Sequence, residues 1–147
     1  VTPLAVSFGF KGLATYADTS FSQELRAVYW YLNSGENIYS QMSTITTRTG
    51  EWYGLQNAGG TLDTVSGPQT SYAPGINVPM SIASYHKENG LNLAVDGTAF
   101  TENTTPVAFP ALSVTDIDIA PIFNGVIQEF IMWSDDIEDA GIEETSL

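Results

Sequence analysis

The chain of 147 residues has no cysteine, one histidine and four basic side chains. Without cysteine there is no disulfide scaffold, no thiolate metal site and no cysteine nucleophile. Lys11, Arg26, Arg48 and Lys87 face 17 acidic residues, for a net charge of -13. Phosphate binding needs clustered Lys or Arg that displace counterions, so no nucleic acid is expected as a partner. Adhesion to an anionic membrane is disfavoured for the same reason. Charged residues make up only 14% of the chain, against about 25% in ordinary soluble domains. Long hydrophobic runs are also missing. The longest, Ala27 to Leu32, has six residues, where a membrane-crossing helix needs about 20, so no membrane insertion is expected. No secretory leader opens the chain, and it starts at Val1 rather than Met, as expected of a processed protein or a piece of a longer one.

What the chain does hold is β-forming sequence. Hydrophobic residues reach 43% and aromatics 12%, with 13 Gly and seven Pro, enough for one turn-rich domain over residues 1–147. The dominant period is two. Leu4, Val6, Phe8 and Phe10 alternate with Ala5, Ser7, Gly9 and Lys11, which predicts a strand with one buried and one wet face. Residues 23–33 predict a second strand, with Val28, Trp30 and Leu32 on one face and Tyr29 and Tyr31 on the other. Thr- and Ser-rich residues 38–49 read as a third, since β-branched side chains suit a pleated surface. Short strands over 51–56 and 61–66 flank an Asn-Ala-Gly-Gly turn, and 67–77 is the longest loop. Strands over 79–86 and 91–95 follow. Asp96-Gly97 then predicts a type I′ hairpin turn placing Val95 opposite Thr98 and Leu93 opposite Phe100. The remaining strands are 112–119 and 126–133. The last is apolar on both faces (Val126, Phe130 and Met132; Ile127, Ile131 and Trp133), so cover on both sides is expected.

Seven of the 17 acids lie between Glu129 and Glu144, and nothing basic follows Lys87. Ser134 followed by Asp135, Asp136 and Glu138 predicts the capped start of a short helix over 134–144, because the helix dipole favours carboxylates in the first turn. Ile137, Ala140 and Ile142 would pack it on the domain. Ten or so strands without helical alternation predict an all-β fold, a two-sheet antiparallel β-sandwich or a barrel.

The second half resembles the concanavalin A-like (laminin G-like) jelly-roll domains. The matching stretches are Leu91 to Gly97, which ends in Asp-Gly, Phe123 to Trp133, which opens with Asn-Gly and an aliphatic residue and ends in an aromatic, and Ser134 to Ile142. The versions it most looks like occur in bacteriophage tail and other virion proteins. This resemblance implies a jelly-roll sandwich at a virion surface, extracellular, with other virion subunits as partners in a homo-oligomer such as a trimer. Host-surface glycan is the implied ligand. The alternative is a lectin-like module of a secreted protein, assisted by calcium, since the fold hosts lectins, hydrolases and structural parts alike.

Catalysis finds little support in the residues. Ser84 and His86 share a strand face, but a triad needs a third group to orient the imidazole, and a solvated His86 is expected beside the Lys87–Gly90 turn. Some glycosidases of this fold carry Glu-x-Asp-x-x-Glu on a strand. Here Asp116 and Asp118 stand in that frame, but the third position is Pro121. Two acids at i and i+2 lie ~6.6–6.8 Å apart along a strand, against ~5–5.5 Å for a retaining pair. No enzymatic activity and no obligate cofactor are therefore expected. Asp96, Asp116 and Asp118, with backbone carbonyls, are the candidate calcium ligands. For a sugar, whose ring has an apolar face and a polar rim, the candidate ligand-binding residues are loop aromatics and an amide: Trp52, Tyr53, Asn57 and Tyr72. Tyr72 sits in the long loop, where it would bind a ligand or pin the loop.

Overall fold

Apolar side chains at every second position fold into ten strands followed by one helix. The structure, a computed structural model, describes residues 4–21, 23–68 and 71–147. The strands are β1 (Ala5–Tyr16), β2 (Glu24–Asn33), β3 (Glu36–Ser43), β4 (Trp52–Ala58), β5 (Thr61–Ser66), β6 (Gly75–Lys87), β7 (Gly90–Val95), β8 (Thr98–Ala99), β9 (Ile117–Ile122) and β10 (Gly125–Trp133), and the helix is α1 (Glu138–Thr145). They form two five-stranded antiparallel sheets, ordered β10-β1-β6-β7-β8 and β5-β4-β3-β2-β9. This is the two-sheet jelly-roll sandwich expected from the sequence.

The inner faces meet in a core of Phe10, Leu25, Met42, Trp52, Leu91 and Leu93, extended at one end by Val6, Phe8, Val28, Ile38 and Leu112. Each buried side chain of this size contributes about 1.5–3 kcal/mol, more than the net ~0.5–1.5 kcal/mol of a typical hydrogen bond. The facing of side chains thus follows the core, and the ladders accommodate it. Asp96 and Gly97 turn with φ of 47° and 76°. Val95 pairs with Thr98, and the Phe100 N–H donates to the Leu93 carbonyl at 3.0 Å, as the Asp-Gly signal required.

Four expectations need correction. Leu4 lies outside β1 and is exposed, and β1 has no wet face over its first half, because Ser7 and Gly9 are buried as well. The cover is α1: a Cβ on Gly9 would collide with Thr145. The helix itself starts at Glu138, not Ser134. Its entry is fixed by Ser7, which donates to the Asp135 carbonyl at 2.7 Å and accepts the Ile137 N–H at 3.2 Å. Asp136 accepts the Glu138 N–H at 2.7 Å. Ile142 and Ile137 pack on Ala83, Tyr85 and Ala94, whereas Ala140 faces solvent.

The third correction concerns β10. It pairs with β1 alone and forms the edge of its sheet, opposite β9, the edge of the other. A register skip between Lys11 and Gly12 brings Ile127, rather than Val126, into line with Phe130 and Met132. These side chains point toward the seam between β10 and β9, where Ile127, Met132 and Ile119 remain nearly half exposed (44%, 47% and 45%). The sandwich is open along this side.

His86 is also not solvated. It is fully buried against the edge of the Phe8 ring, with Nε2 3.3 Å from Ser84 Oγ, which is 2.9 Å from Ser40 Oγ on the opposite sheet. Nδ1 has no partner among the described residues. Burial lowers its pKa from 6.5 to about 3. The folded state refuses a proton that the unfolded chain binds near pH 6.5, so this contribution is neutral to stability above pH 6.5 and destabilising below it. Stability should fall by about 1.4 kcal/mol per pH unit between 6.5 and 3 relative to His86→Leu. Urea unfolding of both proteins across pH 4–8 checks this, and parallel curves would refute it.

Candidate functional site

Core burial dictates what the outer face of the β5-β4-β3-β2-β9 sheet presents. With Val28, Ile38, Met42 and Trp52 committed inward, the intervening positions turn out. Register then lines them up in rows. Asp118, Tyr29, Tyr39, Leu55 and Thr64 run across the five strands, and Arg26, Gln41, Tyr53 and Ser66 run across four. A register shift between Arg26 and Val28 lets Arg26 reach the same face as Tyr29.

Aromatic contacts organise this face. Tyr29 and Tyr31 stack with centroids 4.8 Å apart and planes 14° apart, and Tyr29 meets Tyr39 edge-on at 5.7 Å. The Arg26 guanidinium lies 4.9 Å from the Tyr29 centroid and 5.1 Å from that of Tyr39. It donates to Glu24 at 3.0 Å and to Gln41 at 3.1 Å. On the next row Arg48 lies over the Tyr53 ring at 4.7 Å and grips Glu51 with two donors, at 2.9 and 3.3 Å. Beside them is a depression of about 400 Å³ whose walls include Glu24, Tyr39, Gln41, Arg48, Tyr53 and Leu55, with Arg26 bonded to Glu24 and Gln41. The Tyr53 hydroxyl is shut off from solvent and has no hydrogen-bond partner among the described residues. Burial first, and then Glu51 beside it, push this phenol well above its usual range. Burial likewise raises Tyr39. Both phenols therefore stay neutral donors near pH 7. A larger and more open depression of about 700 Å³, between β5 and the chain after β8, offers one ring, Phe100, and no cation among the described residues.

The residues expected to bind a ligand divide sharply. Trp52, Tyr53 and Asn57 belong to strand β4 and not to a loop. Trp52 points inward with no exposed surface, so it cannot stack on a sugar. Tyr53 does line the depression, but it is only 7% exposed and Arg48 lies over its ring. Asn57 lies at the far end of the face and donates to the Ser34 carbonyl at 3.0 Å. Tyr72 is buried; its hydroxyl donates to Asp96 at 2.7 Å and accepts the Ser81 N–H at 3.2 Å. It pins its loop. The residues that sequence reading missed as binding candidates are Arg26, Tyr29, Tyr31, Tyr39, Gln41 and Arg48. Their signal was the shared face of Tyr29 and Tyr31; joining it to β3 and β4 required the register.

The acidic candidates are scattered. Asp96 turns the β7–β8 hairpin on one sheet. Asp116 accepts the Ser113 and Thr115 hydroxyls, each at 2.8 Å, and these hold its carboxyl below the usual range. Asp118 sits opposite Tyr29 on β9. Among the described residues no group of three His, Asp or Glu comes together to hold a metal ion, so these three do not form one calcium site. Ser84 and His86 are sealed inside the sandwich, out of reach of a substrate.

An antiparallel sandwich with a tyrosine- and amide-rich outer face belongs to the jelly-roll class of β domains. Solved structures similar to this chain include the leech intramolecular trans-sialidase complexed with 2,7-anhydro-Neu5Ac, at a TM-score of 0.74 and 14% identity over 99% of this chain and 23% of that one. Another is the Ruminococcus gnavus IT-sialidase CBM40 bound to α2,3-sialyllactose, at 0.73 and 11% over 99% of this chain and 84% of that one. A third is the binding domain of botulinum neurotoxin DC in complex with rat synaptotagmin II, at 0.69 and 9% over 97% and 35%. At such identities the likeness establishes the fold. No protein-family model matches the chain, and no curated protein matches it in sequence.

If Tyr72 is a loop pin, Tyr72→Phe should cost about 1–2 kcal/mol by leaving Asp96 without its donor. Chemical denaturation reads the loss, and binding at the outer face of the other sheet should be unaffected.

Proposed function

We propose that this chain is a non-catalytic glycan-binding module whose site is the depression lined by Tyr39, Gln41, Arg48 and Tyr53. The observation that carries this is the juxtaposition of Tyr39, Gln41, Tyr53 and Glu24 around one hollow. A pyranose presents an apolar C–H face and a rim of hydroxyls. The partly exposed ring of Tyr39 suits the first, while amide, carboxylate and guanidinium groups suit the second. The fold shared with CBM40, whose R. gnavus structure holds sialyllactose, supports the same reading. The likeness of the second half to virion modules supports placing the domain on a phage particle, as a tail, fibre or capsid attachment part facing host glycans.

A second reading has its own observation. The open β9–β10 seam leaves core-facing Ile119, Ile127 and Met132 nearly half exposed beside an unpaired strand edge, a surface suited to docking on a neighbouring subunit. An oligomer formed along this edge would place several glycan sites on one particle. Both uses are compatible, because the seam and the Tyr39 face lie on different sides of the sheet.

On a glycan array, Tyr39→Ala and Tyr53→Ala should each weaken binding by at least about tenfold, equivalent to ~1.4 kcal/mol, with circular dichroism unchanged. Wild-type protein that binds no glycan would overturn the first reading. For the second, light scattering should show an oligomer that Ile127→Lys combined with Met132→Lys converts to monomer. A monomeric wild type at high concentration would refute it.

A further inference from the structure

Resting on the glycan-binding reading, we infer that the site takes neutral saccharides and rejects those carrying a carboxylate. The reason lies in where the few cations are spent. All four basic residues are held by carboxylates: Lys11 by Glu129 at 3.8 Å, Arg26 by Glu24 at 3.0 Å, Arg48 by Glu51 at 2.9 Å, and Lys87 by Asp136 and Glu102 at 2.6 and 3.7 Å. Lys11 and Lys87 belong to the other sheet; Arg48 lines the depression, and Arg26 stands next to it, bonded to its wall residues Glu24 and Gln41.

In each arginine the Nε–Nη2 edge is already taken, and only the Nη1 side is uncommitted. Arg48 offers Nε and Nη2 to the two oxygens of Glu51, the paired geometry by which guanidinium recognises a carboxylate. Glu51 is only 5% exposed. Taking Arg48 from it would leave a buried charge unpaired, which is strongly unfavourable. Arg26 directs Nε to Gln41 and Nη2 to Glu24 while its plane is occupied by Tyr29 and Tyr39. Glu24, Glu51 and Asp118 against two arginines leave the face net negative, within a chain of net charge -13. An incoming carboxylate meets net repulsion and no cation that is not already charge-paired.

A neutral sugar meets no such obstacle. Each guanidinium has five N–H donors, and those not committed to Glu24, Gln41 or Glu51 can donate to sugar hydroxyls. The Glu24 carboxylate can accept from them. The site thus shares a fold with a module that holds sialyllactose while its charge pairing selects for the opposite ligand class.

The test is an array and titration calorimetry with matched pairs: neutral oligosaccharides of the lactose series beside 3′-sialyllactose, 6′-sialyllactose and a uronate-terminated counterpart. The neutral member of each pair should bind at least about tenfold tighter. The variant Glu51→Gln, which frees the Arg48 fork without changing side-chain size, should shift the ratio about tenfold toward the acidic member. Tighter binding of the acidic sugars by wild type would overturn this inference and leave the glycan-binding reading standing, as would an unchanged ratio in the variant. Failure to bind any sugar would overturn both.

Discussion

Everything in this molecule depends on two sheets closing over a shared apolar layer. Trp52, Phe10, Met42, Leu91 and Leu93 bury their surfaces there, and their burial outweighs what any single ladder hydrogen bond contributes. Because side chains alternate along a strand, fixing this inner layer fixes the outer one. The inward Trp52 sends Tyr53 outward; inward Ile38 and Met42 send Tyr39 and Gln41 outward. The aromatic face is a consequence of the core, displayed on strands and held more rigidly than a loop would allow.

Charge acts on a second level. A chain with 17 acids and four bases keeps each base in a local pair, and the pairs near the depression also organise its rings. Arg26 rests on two tyrosines while bound to Glu24, and Arg48 rests on Tyr53 while bound to Glu51. Such partly buried pairs position groups more than they stabilise the fold, since desolvation offsets much of the attraction. The same economy of cations shapes what the depression can hold.

Most strand positions and the tight hairpin at Asp96-Gly97 were legible in the sequence because they rest on short-range rules, alternation and a turn that tolerates positive φ. The strand expected over 112–119 instead lies at Ile117–Ile122, and the one expected over 38–49 at Glu36–Ser43. Sidedness of the middle strands was legible too, as for Tyr29 and Tyr31 against Val28 and Trp30. Errors arose where the answer depended on a distant segment. Ser7 and Gly9 read as a wet face until α1 packed on them. The apolar β10 read as covered on both sides, yet it is an edge whose inward residues meet an open seam. His86 looked like a turn residue, yet it is buried beside the Phe8 ring of the neighbouring strand and bonded to Ser84, which reaches Ser40 on the opposite sheet. Aromatic content alone could not separate Trp52 from Tyr53, although one residue apart they lie on opposite faces.

The amino-acid sequence by itself determined the all-β fold class, the hairpin and the exclusion of thiolate chemistry, because these follow from composition and from neighbours a few residues apart. The tertiary structure alone decided which tyrosines converge, which carboxylate each arginine holds, and where the sandwich stays open. Those outcomes depend on strand order and register between residues far apart in the chain, such as Arg26 beside Gln41 and Phe8 beside His86, and no local pattern encodes them.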